Sequence, residues 1–173
     1  MSHIKIIVPF YNVEKWILYN IRSIKAQKYK DFECIFVSDQ GTDNTTSIIE
    51  KEIQDDDRFK LFINEERTGA LGSTNYGIKK ASPDDEDILV VLDGDDWFPD
   101  ADTLSYLNET YEIEQCWMTY GSYVEYPAKV RGKFNKPLPE KVIENQLYRQ
   151  AEWMTSHLRT CKYKLWKRIK DED

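Results

Sequence analysis

Apolar residues in the first two thirds of the chain fall into blocks of two alternating kinds. Ile4-Lys5-Ile6-Ile7-Val8 is short, β-branched and nearly unbroken, the pattern of a strand buried on both faces. Pro9, lacking a backbone N–H, is expected to end that strand, and Phe10-Tyr11-Asn12 to form a loop. Val13, Ile17, Ile21 and Ile24 then recur at helical spacing, with Asn12 as a candidate cap. Phe32 to Val37 reads as a second strand, closed by Ser38-Asp39-Gln40-Gly41. Asp43 and Asn44 open a helix through Ile48, Ile49 and Ile53, and Phe59 to Ile63 is a third strand. The loop Asn64 to Gly69 leads into a helix carrying Leu71, Asn75 and Ile78. Ile88 to Leu92 is the fourth strand, apolar throughout.

Beyond it, Pro99-Asp100 begins a helix with Leu104, Leu107 and Tyr111 on one face. Trp117 to Tyr126 alternates loosely and predicts another strand. Lys129 to Pro139 is basic and punctuated by Pro and Gly, the pattern of an exposed loop. Gln146 to Lys170 reads as helical in pieces, with Leu158, Leu165 and Trp166 apolar among basic residues. Strand and helix in this alternation predict an α/β fold, with a mostly parallel sheet and helices on both faces. No repeat or low-complexity linker interrupts the 173 residues, so a single domain is expected.

Sheets of this kind bind ligands beyond the carboxyl ends of their strands. Tyr11, Asp39 and Asp93 each follow a strand directly and should gather along that edge. The fourth strand stops in Asp93-Gly94-Asp95-Asp96, and clustered carboxylates are costly unless something neutralises them. In extended chain, residues two apart point the same way, so Asp93 and Asp95 are expected to project together. Two convergent carboxylates beside a flexible glycine suit a hard divalent cation. A solvated acidic turn, or a cap for the next helix, would use the same residue types.

Composition narrows the classes. Hydrophobic residues at 40% and aromatics at 13% describe a folded globular protein. The net charge of -7 argues against non-specific nucleic-acid binding. No apolar run approaches the roughly 20 residues of a membrane helix, and the N-terminus lacks a signal-peptide pattern. Three widely spaced cysteines, Cys34, Cys116 and Cys161, give neither a zinc site nor a disulfide framework, so a reducing, cytoplasmic setting is expected.

Two glycine motifs fail on spacing. Gly69-Ala70-Leu71-Gly72 is not the dinucleotide fingerprint, and Gly72 to Gly77 followed by Ile78-Lys79 misses the phosphate-binding loop by one place and lacks its Ser or Thr. A strand ending in Asp-x-Asp is also similar to haloacid-dehalogenase phosphatases. Those carry the motif on the first strand, with Thr or Val where this chain has Trp97.

The ordered set of motifs resembles glycosyltransferase family 2, with its GT-A, Rossmann-like fold. The match begins at Ile6-Ile7-Val8-Pro9-Phe10-Tyr11-Asn12-Val13-Glu14-Lys15 and passes through Ser23-Ile24, Gln27 and Asp31-Phe32-Glu33. It continues through Ser38-Asp39-Gln40-Gly41-Thr42-Asp43-Asn44-Thr45, Thr68-Gly69-Ala70 and Asn75-Tyr76-Gly77-Ile78 to Asp93-Gly94-Asp95-Asp96. It covers residues 4 to 126. Ser38 stands where the family usually has a first aspartate, and Thr74 where many relatives carry arginine. Further on, Ser156-His157-Leu158-Arg159-Thr160 with Trp166 is similar to the His-x-Arg segment of polysaccharide-building members.

The resemblance implies an inverting, metal-dependent transferase that moves a sugar from a nucleotide-diphospho-sugar, most often uridine-linked, to an acceptor it does not identify. Saccharide, lipid-linked and protein acceptors all remain open. Tyr11 would stack on the base above Pro9, within a binding set that includes Asn12 and Glu14. Asp39 would accept from the imide N–H. Asn75 would meet ribose or base, Arg67 would lie near the diphosphate, and Asp93 and Gly94 would meet the ribose. Asp93, Asp95 and His157 would hold the metal, with Mn2+ favoured over Mg2+ because imidazole suits softer ions. Asp96 would face the acceptor side or cap the next helix. Residues 1–126 would form the donor-binding core, and 127–173 an incomplete acceptor-side region. No segment matches the family's catalytic base. A nucleotide-sugar-binding module without efficient turnover is the alternative, ahead of the phosphatase.

Overall fold

A computed structural model describes residues 3–134, 136–152 and 156–169. A six-stranded sheet has the order β3-β2-β1-β4-β8-β5, and a separate two-stranded hairpin is formed by β6 and β7. The strands are β1 (Ile4–Phe10), β2 (Phe32–Ser38), β3 (Phe59–Ile63), β4 (Ile88–Val91), β5 (Met118–Gly121), β6 (Val124–Glu125), β7 (Val130–Arg131) and β8 (Ser156–Lys162). The first four run parallel. β8 lies antiparallel between β4 and β5.

β1 shows how the sheet divides two cores. Side chains alternate between faces of a strand, so Ile4, Ile6, Val8 and Phe10 point to one side and Ile7 to the other. The first side packs under α1 (Ile17–Lys25), α2 (Thr45–Ile53) and α4 (Thr103–Glu114), through Ile17, Ile21, Ile24, Ile49, Leu104 and Tyr111. The second side meets α3 (Gly69–Ala81) through Ile78 and Ala81. At Gly77 a Cβ would stand 2.7 Å from Ile7 Cγ2 and 3.0 Å from Val37 Cγ2, so this glycine sets how closely α3 approaches the sheet. Two short helices, α5 (Glu140–Glu144) and α6 (Tyr163–Trp166), complete the fold.

Several boundaries differ from those expected. β1 continues through Pro9 to Phe10. Carbonyls of Ile7 and Pro9 accept from Leu92 and Gly94 on the β4 side, so the missing Pro9 donor faces a ladder whose paired residues end at Ile7 and Val91. α1 starts at Ile17 without a side-chain cap. Asn12 instead takes a left-handed turn and its Oδ1 accepts from the Thr42 N–H at 2.7 Å. Trp117 to Tyr126 splits into β5 and β6, and part of the expected loop after Lys129 is β7.

The main correction concerns Gln146 to Lys170. Ser156–Lys162 is a strand, with α6 after it. Its buried positions, Ser156 and Thr160, are polar and satisfied by side chains, which hides the strand from an apolar pattern. Lys170 and the acidic tail, Asp171, Glu172 and Asp173, lie outside the described residues.

Candidate functional site

The carboxyl ends of β1, β2 and β4 open into a cleft of about 230 Å³ lined by Tyr11, Asp39, Ala70, Ser73, Asp93 and Asp95. Pro9, Phe10, Val13 and Gly94 complete its walls. The expected convergence of Tyr11, Asp39 and Asp93 on one edge is therefore what the fold builds.

Asp39 is almost enclosed. Its Oδ1 accepts from the backbone N–H of Thr68 at 2.7 Å, from Asn64 Nδ2 at 3.1 Å and from the Thr68 hydroxyl at 3.3 Å. Its Oδ2 accepts from the Gly69 N–H at 3.0 Å and has Arg67 Nε at 3.7 Å. Burial works against the charge, and the Thr68, Asn64 and Gly69 donors outweigh it, holding the carboxyl below its ordinary range. Oδ1 is thus used up in fastening the 64–69 loop, and only Oδ2 keeps capacity toward the cleft. The Arg67 guanidinium also lies 3.9 Å from the centre of the Tyr11 ring, a cation–π contact.

The acidic motif is a turn rather than extended chain, closed by the Asp96 N–H donating to the Asp93 carbonyl at 2.9 Å. The turn brings Asp96, not Asp95, beside Asp93 and His157. One ligand atom from each of Asp93, Asp96 and His157 lies within 4.8 Å of the others. Asp95 is exposed on the cleft side. His157 Nε2 sits 3.1 Å from Asp93 Oδ2 and 3.7 Å from Asp96 Oδ2. Arg159 Nη2 is 3.2 Å from the same His157 nitrogen and 3.5 Å from Asp93. That nitrogen either donates to Asp93 or accepts from Arg159, not both at once.

The electrostatics follow. The His157 hydrogen bond lowers the Asp93 carboxyl against burial, with Arg159 assisting. Burial, joined by the charges of Asp95 and Asp93 and opposed by His157, raises Asp96. The Asp93 bond raises His157 against burial. Crowded carboxylates and an imidazole form an oxygen-and-nitrogen donor set with surplus negative charge, which fits a divalent ion such as Mn2+.

Polar side chains on α1 and just beyond it hold this turn and the chain that follows it. Asn20 Nδ2 donates to the carbonyls of Asp93 at 3.2 Å and Asp96 at 2.8 Å. Ser23 Oγ accepts from the Phe98 N–H at 3.1 Å, and Gln27 Oε1 from the Leu104 N–H at 3.0 Å. Asn20 and Ser23 stand three residues apart on one face of α1, and Gln27 follows just past the helix end. Asn20 and Gln27 are fully buried. A buried polar side chain beside the Ile17–Ile21–Ile24 stripe is the sequence signal that points to such a tether.

Other expected residues stand elsewhere. Asn12 and Glu14 fasten the 42–44 loop, Glu14 Oε2 accepting from the Asn44 N–H at 3.0 Å. Asn75 is half-buried on α3, outside the cleft lining, where Ser73 and Ala70 stand instead. Sequence reasoning missed Asn64, Ser73 and Asn20, and the approach of Arg159 to His157.

The strand order and the edge cleft define an α/β protein with a mostly parallel sheet and its candidate site at the carboxyl ends of the strands. Residues 5–171 match the sequence model of Glycosyl transferase family 2, and the chain belongs to that family of enzymes. Among its relatives, a glucosyltransferase of Escherichia coli, "UDP-Glc:alpha-D-GlcNAc-diphosphoundecaprenol beta-1,3-glucosyltransferase WfgD", is 32% identical over 86% of this chain and 56% of its own length. An uncharacterized glycosyltransferase of Haemophilus influenzae is 33% identical over 71% of this chain and 48% of its own. The chain spans about half the length of these relatives. In fold it is similar to S. aureus TarS 1-349 in complex with UDP-GlcNAc, at TM-score 0.74, 22% identity, 97% of this chain and 47% of that one. It is also similar to the mannosyltransferase PcManGT from Pyrobaculum calidifontis in complex with GDP-Man and Mn2+, at TM-score 0.68 and 19% identity, over 96% of this chain and 46% of that one. The GT-A fold expected from the sequence is the fold observed.

Proposed function

We propose that this chain binds a uridine-linked nucleotide-diphospho-sugar in the edge cleft, as the donor-binding part of an inverting, metal-dependent glycosyltransferase. The observation that carries this reading is the junction of two half-sites: the Tyr11–Asp39 pocket and the Asp93–Asp96–His157 cluster share one cleft edge through Asp93. Tyr11 offers a ring face to the base, and Asp39 Oδ2 offers the remaining acceptor for an imide N–H. Asp93 and the backbone at Gly94 lie toward the ribose, and Arg67 turns from Tyr11 toward the diphosphate. Asp93, Asp95, Asp96 and His157 would hold a divalent cation, Mn2+ ahead of Mg2+. When bound, that cation stabilises negative charge on the departing diphosphate.

Residues 1–126 supply the donor pocket, and the segment after 127 supplies His157 by returning to the sheet as β8. Acceptors of the WfgD kind, a sugar on a lipid diphosphate, are a candidate class. No helix among the described residues is long and apolar enough to cross a membrane. Cys34, Cys116 and Cys161 are free thiols, in keeping with a cytoplasmic setting.

The test is release of UDP from UDP-glucose or UDP-GlcNAc, followed by a coupled assay with and without Mn2+. Metal-dependent release that Asp93→Ala abolishes supports the reading. Release of inorganic phosphate from simple phosphate esters instead would favour a phosphatase.

A further inference from the structure

Four aromatic rings, from Trp16, Tyr19, Trp97 and Tyr126, form a cluster in which each ring meets the other three. Trp97 is its centre, 5.2 Å from Tyr19, 5.3 Å from Tyr126 and 6.1 Å from Trp16 between centroids. The remaining pairs are 6.1–6.4 Å apart. These separations are those of favourable stacked and edge-to-face pairs. The rings come from three parts of the chain: the start of α1, the acidic turn, and the link between β6 and β7.

The cluster is not a sealed core. Tyr19 is 47% exposed and Tyr126 52% exposed, and neither belongs to the buried cores of the sheet. Tyr19 sits on α1 beside the buried Asn20, so it projects from the helix flank while Asn20 grips the turn. Lys15 Nζ lies 4.4 Å from the Trp16 ring centre, adding a cation at the rim. Burying these rings fully would bring a further gain from the apolar surface removed from water. That gain is only partly realised in the chain as it stands.

Position decides what the surface can serve. Trp97 follows Asp96 directly, and the two Asp93 and Asp96 carbonyls that Asn20 holds fix where the turn delivers Trp97. The platform is therefore continuous with the acidic cluster but outside the cleft that Tyr11 and Asp39 line. A pyranose ring has a face of C–H bonds that stacks on aromatic rings and a rim of hydroxyls. Mixed Trp and Tyr rings, each with an apolar body and a polar tip, with an ammonium beside them, match that amphipathic pattern. A purely hydrocarbon chain would leave the tyrosine hydroxyls and Lys15 unmatched.

We infer that the Trp16–Tyr19–Trp97–Tyr126 platform binds the acceptor, as the pyranose ring of a saccharide stacked on Trp97 and flanked by Tyr19 and Tyr126. The inference rests on the proposed transferase reading and adds to it the acceptor's side of the site.

The experiment is a titration of intrinsic tryptophan fluorescence in the whole chain. The probes are methyl N-acetyl-α-glucosaminide, a sugar without a tail, and decyl phosphate, a tail and phosphate without a sugar. UDP binding with Mn2+ is measured in parallel by calorimetry. The expected result is a saturable change with the methyl glycoside in the millimolar range. Tyr19→Ala and Tyr126→Ala, both at exposed positions, should weaken it at least about fivefold, as loss of one stacking contact implies. Their UDP affinity should stay at the wild-type value. Trp97→Phe should retain part of the sugar binding and Trp97→Ala none.

A response to decyl phosphate alone, or to neither probe, would overturn the inference. So would a concentration-dependent dimer that Tyr126→Ala dissolves, since that assigns the face to a second copy of the chain. If UDP fails to bind while the glycoside binds, the donor reading fails and the platform stands. The reverse pattern removes the platform alone.

Discussion

His157 Nε2 lies 3.1 Å from Asp93 Oδ2, across 64 residues of sequence. Antiparallel pairing of β8 with β4, Arg159 opposite Val91, sets this contact, because it carries His157 past the end of β4 to the acidic turn. The sheet register and the candidate metal site are therefore one feature. Asp93→Ala and His157→Ala should each weaken Mn2+-dependent UDP binding by more than the roughly 10–100-fold associated with outer-shell partners. Asp95→Ala and Asp96→Ala should weaken it as well, while far-UV circular dichroism of all four stays that of wild type. Calorimetry with and without Mn2+ reads the difference; equal UDP affinity in Asp93→Ala and wild type would count against the site.

Arg67 gives a sharper test of how the cleft fills. Its guanidinium covers the Tyr11 ring and approaches Asp39, yet its side chain is 62% exposed. Arg67→Ala should change folding stability by no more than about 0.5 kcal/mol, as exposed substitutions do. If the guanidinium turns toward the diphosphate, UDP affinity falls in this variant while uridine affinity is unchanged or rises. An equal fall for both ligands would mean that Arg67 serves the base.

Asp39 carries a pH signature. Its carboxyl is lowered in the folded chain despite burial, so its contribution to stability is fully present above the ordinary value of 3.8. That contribution is lost as pH falls from there through the lowered folded value. In Asp39→Asn the acid-limb slope from this group should vanish. The variant should also be less stable at neutral pH by about 1–3 kcal/mol, because an amide cannot accept from Thr68, Gly69 and Asn64 together. Urea unfolding across a pH series measures both. In the same variant the preference for uridine over adenosine nucleotides should decline.

Much of this was legible in the chain. The four parallel strands, the edge they share, and the placement of Tyr11, Asp39 and Asp93 on that edge follow from apolar blocks that end in polar residues. β8 was not legible, because its inward positions are the polar Ser156 and Thr160, and the partners of Thr160, Tyr111 and Thr119, are remote in sequence. The grouping of Asp96 with Asp93 was missed for a local reason: the expectation assumed extended chain, and a tight turn changes which side chains converge. Asn12 and Glu14 belong to a resemblance-based set that the fold uses to tie the 42–44 loop.

Gly94 links turn geometry to binding. A Cβ there would stand 2.7 Å from Phe10 Cβ and 3.4 Å from the Pro9 carbonyl oxygen, so the turn must shift to admit it. Gly94→Ala should cost about 1–3 kcal/mol of stability, as overpacking does. Metal-dependent nucleotide binding should fall with it, because Asp93 and Asp95 flank the displaced residue. Thermal unfolding and calorimetry on this one variant check the pair; wild-type values for both would show that the turn yields without consequence.

The most direct test of the donor-site reading is thermal unfolding of the whole chain with UDP, GDP and ADP, each with Mn2+ and with chelator. A ligand at 100 times its dissociation constant adds about 2.7 kcal/mol, or about 5–10 °C for a chain of this size. The expected result is a shift of that order for UDP with Mn2+, a smaller one for GDP or ADP, and none for UDP with chelator. Identical melting in all conditions, or an ADP shift equal to that of UDP, would contradict a metal-dependent uridine-nucleotide site at Tyr11, Asp39 and Asp93.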